Sequence, residues 1–309
     1  MNALVGYTGF VGSNLYEKGK FDAVYNSKNI EKAYGTMPDL LIYAGLRAEK
    51  YLANTAPEKD MATILQAQEN IRMIAPKKLV LISTIDVFKD SKNADENTVV
   101  DTKDLHPYGY NRYQLECWVR ENYPDALIIR LPGLFGRNIK KNFIYDYINR
   151  IPFMLRTDKM EELSCRNPEI KKYYTSQDNG FFKVGELNQS EKEELKNILA
   201  EVQFSALNFT DSRSRYQFYS LSRLWDDIQI CLKNHIELWH PATEPIGAGE
   251  LYDYLSGEQF VNELGGIPAD YNYKTIHAEI FGGCEGYITK KSDVFKEIED
   301  FVRERITNE

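Results

Sequence analysis

The stretch Ala3-Leu4-Val5-Gly6-Tyr7-Thr8-Gly9-Phe10-Val11-Gly12 decides how the chain begins to fold. Its apolar start predicts a buried strand, and glycines at 6, 9 and 12 follow at the spacing of a dinucleotide-binding turn that opens a helix. Glycine allows a tight turn and a close approach of the backbone to a pyrophosphate, whose charge then meets the helix N-terminus. We therefore predict nucleotide binding here; the alternative is a glycine turn needed only for packing.

Short apolar runs separated by amphipathic stretches continue outward from this unit, as in a parallel sheet covered on both faces by helices. Only about a dozen residues, with Gly35 and Pro38 among them, separate the second and third strands. A full doubly wound sheet usually places another helix and strand there. We predict an α/β fold with a Rossmann-like doubly wound parallel sheet trimmed by a strand. The predicted strands are 2–5, 22–25, 39–44, 78–83 and 126–131, and the predicted helices are 10–18, 56–74 and 108–122.

The pattern loosens after residue 138, and residues 151–215 are polar and charged with little clear strand. Further on, residues 216–240 again indicate a strand, a helix (about 221–234) and a strand. We predict an NAD(P)-binding domain over 1–138, to which 216–240 returns, and a smaller C-terminal α+β substrate-binding domain formed by 139–215 and 241–309. Helices are expected near 141–150, 189–203, 247–260 and 291–306.

Composition excludes several classes of protein. A net charge of −8 over 309 residues argues against a surface that binds nucleic acid. The four cysteines are widely spaced without a CxxC pair, so neither a zinc site nor a disulfide framework is expected. No run approaches 18 apolar residues, and the N-terminus leads directly into the first strand. We expect a cytoplasmic protein without a membrane partner or a bound metal.

A second motif is Tyr108-Gly109-Tyr110-Asn111-Arg112, at the start of a predicted helix. Tyr108 and Arg112 are four residues apart and share one helical face. Thr84 ends an earlier strand, and ligands of open α/β sheets bind beyond the carboxyl ends of the strands. A phenol, a cation and an alcohol at one place form a proton-transfer apparatus; the alternative is a surface tyrosine beside a solvated arginine.

With these motifs in order, the chain resembles the extended short-chain dehydrogenase/reductases, which are NAD(P)-dependent sugar-nucleotide epimerases, dehydratases and reductases. The resemblance is dense over 1–140 and sparse beyond. Gly6, Gly9 and Gly12 match the glycine motif of the family. Four further segments are similar to family motifs: Tyr43-Ala44-Gly45, Ser83-Thr84-Ile85-Asp86-Val87-Phe88, Pro107-Tyr108-Gly109-Tyr110-Asn111-Arg112 and Arg130-Leu131-Pro132-Gly133-Leu134-Phe135-Gly136.

The resemblance implies roles for these residues. Tyr108 would be the general acid/base for a hydroxyl or ketone, Thr84 would hydrogen-bond that oxygen, and Arg112 would complete the catalytic set. The implied substrate is a nucleotide sugar, bound by Asp86, Asn142, Arg213 and Arg215. Homodimerisation through a helix pair is common in the family, and the helix that starts at Tyr108 is the candidate interface. The implied cofactor-binding residues are Gly6, Thr8, Gly9, Phe10, Val11, Gly12, Asn26, Ser27, Lys28, Tyr43, Ala44, Gly45, Ser83, Tyr108, Arg112, Leu131, Pro132 and Gly133.

Two departures from the family pattern qualify these roles. Arg112 replaces the lysine that binds the nicotinamide ribose and lowers the tyrosine pKa. Arginine keeps the charge and the donors but is longer and cannot pass on a proton. We expect the ribose contact to survive and catalysis to be altered or slower, with loss of activity left open. Asn26-Ser27-Lys28 stands where NAD-binding members place an acidic residue. This favours NADP(H) over NAD(H), unless Lys28 is simply solvated.

The predicted function is an NAD(P)-dependent oxidoreductase or epimerase acting on a nucleotide-activated sugar or a related hydroxyl or ketone. Ile85-Asp86 follows Thr84 where dehydratases of the family carry Asp-Glu, which disfavours 4,6-dehydration. Ketone reduction stands ahead of epimerisation because the cofactor preference is towards NADP(H). Arg213 and Arg215 suit phosphate contacts, although such arginines are often solvated. The alternative function is a catalytically impaired NAD(P)-binding regulatory or scaffold protein of the same fold.

Overall fold

Apolar strands and amphipathic helices alternate through the first half of the chain as predicted. The computed structural model describes residues 1–177 and 180–308. The helices are α1 (Phe10–Lys18), α2 (Lys50–Thr55), α3 (Pro57–Ile74), α4 (Pro107–Asn122), α5 (Phe143–Asn149), α6 (Thr157–Arg166), α7 (Gln189–Glu201), α8 (Leu224–Lys233), α9 (Ala248–Ser256) and α10 (Lys291–Asn308). The strands are β1 (Asn2–Val5), β2 (Ala23–Tyr25), β3 (Leu40–Tyr43), β4 (Leu79–Thr84), β5 (Leu127–Leu131), β6 (Gly133–Phe135), β7 (Met154–Arg156), β8 (Tyr174–Ser176), β9 (Phe181–Val184), β10 (Arg215–Tyr216), β11 (Phe218–Ser220), β12 (Leu238–Trp239) and β13 (Ile246–Gly247).

The chain forms two units. Unit 1 comprises Met1–Ile139, Arg215–Ile246 and Asp270–Glu297, and unit 2 comprises Lys140–Ser214, Gly247–Ala269 and the residues from Ile298 onward. Residues 270–297 thus group with the sheet, whereas we predicted them in the substrate-binding domain. The reason is hydrogen bonding to the segment that follows β4: the Lys274 amide donates to the Ala94 carbonyl (2.7 Å) and the Thr275 hydroxyl donates to Glu96 (2.6 Å). The binding roles of the two units stay predictions.

The sheet of unit 1 has the strand order β12-β5-β4-β3-β1-β2, and all its neighbouring pairs are parallel. One face, which includes Leu41 and Leu81, packs against α3 and α4. The other face, which includes Leu4 and Ile42, packs against α1 and α8. Burial on both faces explains why these strands are continuously apolar. The predicted doubly wound parallel sheet is confirmed.

The trimmed edge of this sheet is also confirmed. Between β2 and β3 the chain forms only a 3₁₀ turn, Ile30–Ala33, and β2 is the edge strand. The reversal of strand order falls between β1 and β3, so their carboxyl ends open onto a crevice where ligands of such sheets bind.

Unit 2 contains a three-stranded antiparallel sheet of order β7-β9-β8 with α6 and α7. Our expectation of little strand in 151–215 was wrong at these positions. The strands are only three or four residues long, and Thr175, Ser176 and Lys183 are exposed, so hardly any apolar alternation marks them. Their core is built instead from apolar residues of the flanking helices, among them Met160 and Leu195.

A buried carboxylate ties α4 to the sheet of unit 1. Glu116 is fully buried and accepts hydrogen bonds from the Ser83 hydroxyl (2.6 Å) and from Arg130 Nη2 (2.7 Å). Arg130 is itself 2% exposed and lies 5.0 Å from the Phe88 ring centroid. Its Nη1 is 3.4 Å from Nε2 of His240, and burial together with this cation lowers the His240 pKa to about 3. His240 is therefore neutral, and the negative charge of Glu116 balances the positive charge of Arg130.

We expect Glu116→Ala to destabilise the protein by about 3–5 kcal/mol, because Arg130 would stay buried without its carboxylate. Urea unfolding measures the free energy of unfolding. Glu121→Ala is the matched control, since Glu121 is an exposed residue of the same helix. Equal losses in the two variants would contradict the assignment of a stabilising role to the buried pair.

Candidate active site

The glycine turn after β1 is built from close backbone contacts. Gly6 has φ +93°, and a Cβ there would lie 2.3 Å from the Ala44 carbonyl oxygen. A Cβ on Gly12 would lie 2.0 Å from the carbonyl oxygen of Gly6. Packing alone therefore requires glycine at these two positions. Gly9 is exposed and is the N-cap of α1.

This turn also fits the pyrophosphate of a dinucleotide. The first turn of α1 carries no acidic residue, and Thr8 and Gly9 leave its N-terminus open to solvent. The partial positive charge at a helix N-terminus and its unpaired amides attract anions. A Cβ at Gly6 or Gly12 would disturb the turn that leads to these amides.

The segment predicted to meet the adenosine end forms a turn after β2. The Asn26 side-chain oxygen accepts from the Lys28 amide (2.9 Å), and the Asn26 amide donates to the Asn29 side chain (2.7 Å). These bonds hold the turn, and Ser27 and Lys28 are exposed on it. The preference for NADP(H) stays a prediction, and the exposed positions of Ser27 and Lys28 are compatible with it.

Tyr108 and Thr84 lie near each other, and the catalytic roles that the resemblance implies for them stay predictions. Thr84 is the last residue of β4, Tyr108 lies in the first turn of α4, and the Thr84 hydroxyl is close enough to the phenol to lower its pKa, as the smallest of several effects. A Cβ at Gly109 would lie 2.1 Å from the Asp86 carbonyl oxygen, so glycine lets α4 pack directly on the segment after β4. His106 caps this helix by accepting from the Gly109 amide (3.0 Å).

Arg112 lies over the face of Tyr108, with its guanidinium carbon 3.9 Å from the ring centroid. The side chain is 3% exposed; Nη1 pairs with the Asp60 carboxylate and Nη2 donates to the Arg47 carbonyl (2.7 Å). Asp60 accepts a further bond from Asn111 (2.8 Å). The cation is therefore paired inside the protein. The sequence did not indicate Asp60 as its partner. The ribose contact of Arg112 stays a prediction.

The electrostatics of Tyr108 differ from the family pattern of a lowered tyrosine pKa. Burial raises the pKa of Tyr108, and Arg112 lowers it by a smaller amount. The carboxylates of Asp86 and Asp60 raise it further. The net pKa lies above its ordinary value, so the phenol is protonated at neutral pH.

Several predicted cofactor residues point their side chains into the core. The Ser83 hydroxyl is used by Glu116, and the Tyr43 hydroxyl accepts from Asn70 (3.2 Å). Burial raises the pKa of Tyr43 to about 12. Leu131 is buried in the core on the other face of the sheet. A cofactor would therefore contact the backbone atoms of these residues. Their cofactor-binding roles stay predictions.

The predicted substrate residues are divided between the units. Asp86 lies beside Thr84 and Tyr108 in unit 1, and Arg215, also in unit 1, pairs with Asp270 (2.6 Å). Asn142 and Arg213 belong to unit 2. Asn142 caps α5 with φ +108°, accepting from the amides of Ile144 (3.0 Å) and Tyr145 (3.2 Å). Arg213 pairs with Asp211 (2.7 Å) and Glu263 (3.1 Å).

Two residues near Tyr108 were not found from the sequence. The Lys50 ammonium lies 3.0 Å from one Asp86 oxygen, and the Tyr271 hydroxyl donates to the other (3.1 Å). Lys50 begins the short helix α2, which was not predicted, and Tyr271 follows Asp86 by 185 residues. Neither carries a local signal that could have identified it.

Comparisons with known proteins support the fold. No family model and no curated protein matches the chain. Among solved structures, UDP-glucose 4-epimerase from Thermotoga maritima, with UDP-glucose, is 14% identical with a TM-score of 0.63, and each chain is covered completely. A dTDP-4-dehydrorhamnose reductase from Yersinia enterocolitica is 13% identical (TM-score 0.61; 97% of this chain, 98% of the other). Another from Bacillus anthracis, in complex with NADP, is 14% identical (TM-score 0.60; 98% and 97%). The chain has the fold of these sugar-nucleotide enzymes, as the resemblance implied.

In the described part of the chain, no helix combines the length and the apolar character needed to cross a membrane.

We expect Gly12→Ala to weaken NADPH binding and to destabilise the protein by about 1–3 kcal/mol, because the added Cβ overpacks backbone. Titration of NADPH by fluorescence and urea unfolding measure the two effects. Gly266→Ala is the control, since a Cβ there meets no atom within 4 Å. If Gly12→Ala binds NADPH as the control does, the turn is not the cofactor site.

Proposed function

We propose that the protein is an NAD(P)-dependent oxidoreductase or epimerase that acts on a hydroxyl or ketone of a nucleotide-activated sugar, with ketone reduction favoured. The observation that carries this proposal is the placement of the Tyr108 phenol near Thr84, the last residue of β4. The glycine turn stands at the end of β1 in the same parallel sheet. The same fold in an NADP-bound reductase and a UDP-glucose-bound epimerase supports both cofactor and substrate class.

The roles of the two hydroxyls follow from their chemistry. The nicotinamide, when bound, supplies or accepts a hydride. Tyr108 donates its proton to the ketone oxygen in reduction or takes a proton from the hydroxyl in oxidation, while Thr84 hydrogen-bonds the same oxygen. Because burial raises the Tyr108 pKa, the phenol carries its proton at neutral pH. Reduction of a ketone requires the phenol in this protonated state.

A second candidate function is a regulatory or scaffold protein that binds NAD(P) without turnover. It is favoured by one observation: the charge of Arg112 is paired with Asp60 and does not bring the Tyr108 pKa below its ordinary value. The presence of Tyr108 and Thr84 near each other speaks against it, because a decayed site has no need of both.

Homodimerisation and a cytoplasmic location stay predictions. α3 and α4 border a cavity of about 440 Å³ whose lining includes the exposed apolar side chains of Leu65 and Tyr110. This face includes the helix that we expect to form a dimer.

We expect Tyr108→Phe to reduce NADPH oxidation by dTDP- and UDP-linked 4-keto sugars by about 10²–10⁴-fold, as for removal of a general acid. NADPH affinity, measured separately by titration, should change much less. Tyr110→Phe is the control, because Tyr110 is 39% exposed and two residues away. Equal turnover in Tyr108→Phe and the wild type would remove the proposed role; no turnover in any protein would favour the scaffold function.

We expect Lys28→Ala to weaken NADPH binding by about tenfold, roughly 1.4 kcal/mol, and to leave NADH binding unchanged, because only NADPH carries a 2′-phosphate. Isothermal titration calorimetry gives both affinities. Lys32→Ala, which removes another exposed lysine four residues on, controls for general loss of positive charge. A parallel loss for NADH and NADPH would show that Lys28 does not read the 2′-phosphate.

A further inference from the structure

Arg112 joins α4 to two other elements of unit 1. Its Nη1 pairs with the carboxylate of Asp60 in α3, and its Nη2 donates to the Arg47 carbonyl at 2.7 Å. Arg47 belongs to residues 45–56, which lie between β3 and α3 and include α2; we call them the 45–56 segment. A forked guanidinium can bond both elements at once, whereas a lysine offers a single ammonium.

Further hydrogen bonds connect the 45–56 segment and α3 to the start of α4. The Tyr108 amide donates to the side-chain oxygen of Asn54 (3.0 Å). The Asn111 side chain donates to the Pro57 carbonyl (3.2 Å) and to the Asp60 carboxylate (2.8 Å). Asp60 is thus bonded to two side chains of α4, at positions 111 and 112.

Asp60 provides the charge partner of Arg112. The Asp60 side chain is 10% exposed and that of Arg112 is 3% exposed, so both charges are largely withdrawn from water. A buried cation without a partner is strongly unfavourable. The guanidinium carbon of Arg112 lies 3.9 Å from the ring centroid of Tyr108. Asp60 therefore fixes the place of a cation that contacts the proposed acid/base.

Stability alone does not require this ion pair. Well-packed apolar side chains of similar volume often replace a buried pair without loss of stability. Here both charges act on the neighbouring phenol: after burial, which raises the pKa of Tyr108 most, Arg112 lowers it and Asp60 raises it. An apolar replacement would have neither effect.

Other charged or titratable groups also surround Tyr108. They come from the turn after β4, the start of α4, α2 and the loop that contains residue 271, and they are Asp86, His106, Lys50 and Tyr271. All four are kept in the variants described below. Differences among those variants therefore report on Asp60 and Arg112.

We propose that Asp60 is a positioning residue of the active site, which holds Arg112 on the ring of Tyr108 and, through Arg112, the 45–56 segment beside the start of α4. This inference rests on the proposed function, since Tyr108 is the proposed acid/base. It adds a residue of α3 that the motif around Tyr108 does not contain. It also implies that the site is built around an arginine, so that the lysine of the family would not replace Arg112.

The first test measures the ionisation of Tyr108 and needs no substrate. NMR of the full-length protein with ¹³C at the tyrosine Cζ follows each phenol against pH, and the Tyr108 signal is the one that Tyr108→Phe lacks. Asp60→Asn leaves the Arg112 cation unbalanced, so the midpoint of the Tyr108 titration should fall by about one pH unit. Arg112→Gln should raise the midpoint, and the variant with both substitutions should lie between the two.

A matched control and a second comparison support this test. Glu58→Gln removes an exposed carboxylate of the same helix and should leave the midpoint unchanged. Urea unfolding shows whether each variant is folded. If Asp60→Asn alone does not fold, the midpoint of the double variant should still be lower than that of Arg112→Gln. A residue that only stabilised the fold would not shift the midpoint in the direction opposite to its partner.

The second test measures positioning through turnover and hydrogen exchange. NADPH oxidation is followed with dTDP- and UDP-linked 4-keto sugars. Asp60→Asn and Arg112→Lys should each lower kcat by about tenfold to 100-fold, with a smaller change in the KM for the sugar. Asp60→Glu, which keeps the charge, should restore part of kcat. Amide exchange of the 45–56 segment, read by mass spectrometry, should become faster in the first two variants and not in Glu58→Gln.

The possible failures are distinguishable. An unchanged midpoint in Asp60→Asn, or midpoints that move in the same direction in Asp60→Asn and Arg112→Gln, would overturn the role of Asp60 and leave the proposed function standing. Full turnover and unchanged amide exchange in Arg112→Lys would overturn it as well. Absence of NADPH oxidation with every sugar in the wild type would overturn the proposed function, while the NMR and exchange measurements would still decide the role of Asp60.

Discussion

The fully buried carboxylate of Glu116 is the constraint on which the site depends. It holds the Ser83 hydroxyl on β4 and the Arg130 guanidinium on β5, and so fixes α4 against the sheet. Tyr108, Arg112 and Glu116 follow each other at intervals of four residues and share one face of α4. Anchoring the helix at Glu116 therefore sets where Tyr108 meets Thr84.

Arginine stands at position 112, where the family that the sequence resembles has lysine, and the structure shows what the arginine contacts. A buried cation requires a partner, and the forked guanidinium bonds Asp60 and the Arg47 carbonyl together while lying flat on the Tyr108 ring. A lysine ammonium is a point charge that cannot stack in this way. The consequence is electrostatic: because Asp60 balances the cation, burial determines the Tyr108 pKa, and the phenol keeps its proton.

The region around Tyr108 contains acid–base groups that do not belong to the Tyr108–Arg112 motif. Asp86, between Lys50 and Tyr271, places a charged carboxylate next to a protonated phenol.

The sequence by itself determined the strand, glycine turn and helix at the N-terminus, the parallel sheet with its trimmed edge, and the positions of Thr84 at a strand end and Tyr108 at a helix start. These features depend on local periodicity and on spacings within one strand–helix unit, so the residues that form them are readable from the chain. Tertiary structure alone decided that Asp60 pairs with Arg112, that the Ser83 side chain turns away from Thr84 to Glu116, and that Tyr271 reaches Asp86 across 185 residues. The alternation of a strand shows that neighbouring side chains face opposite sides of the sheet, but it does not show which side packs against which helix. A pair formed between distant segments leaves no pattern in the sequence of either segment.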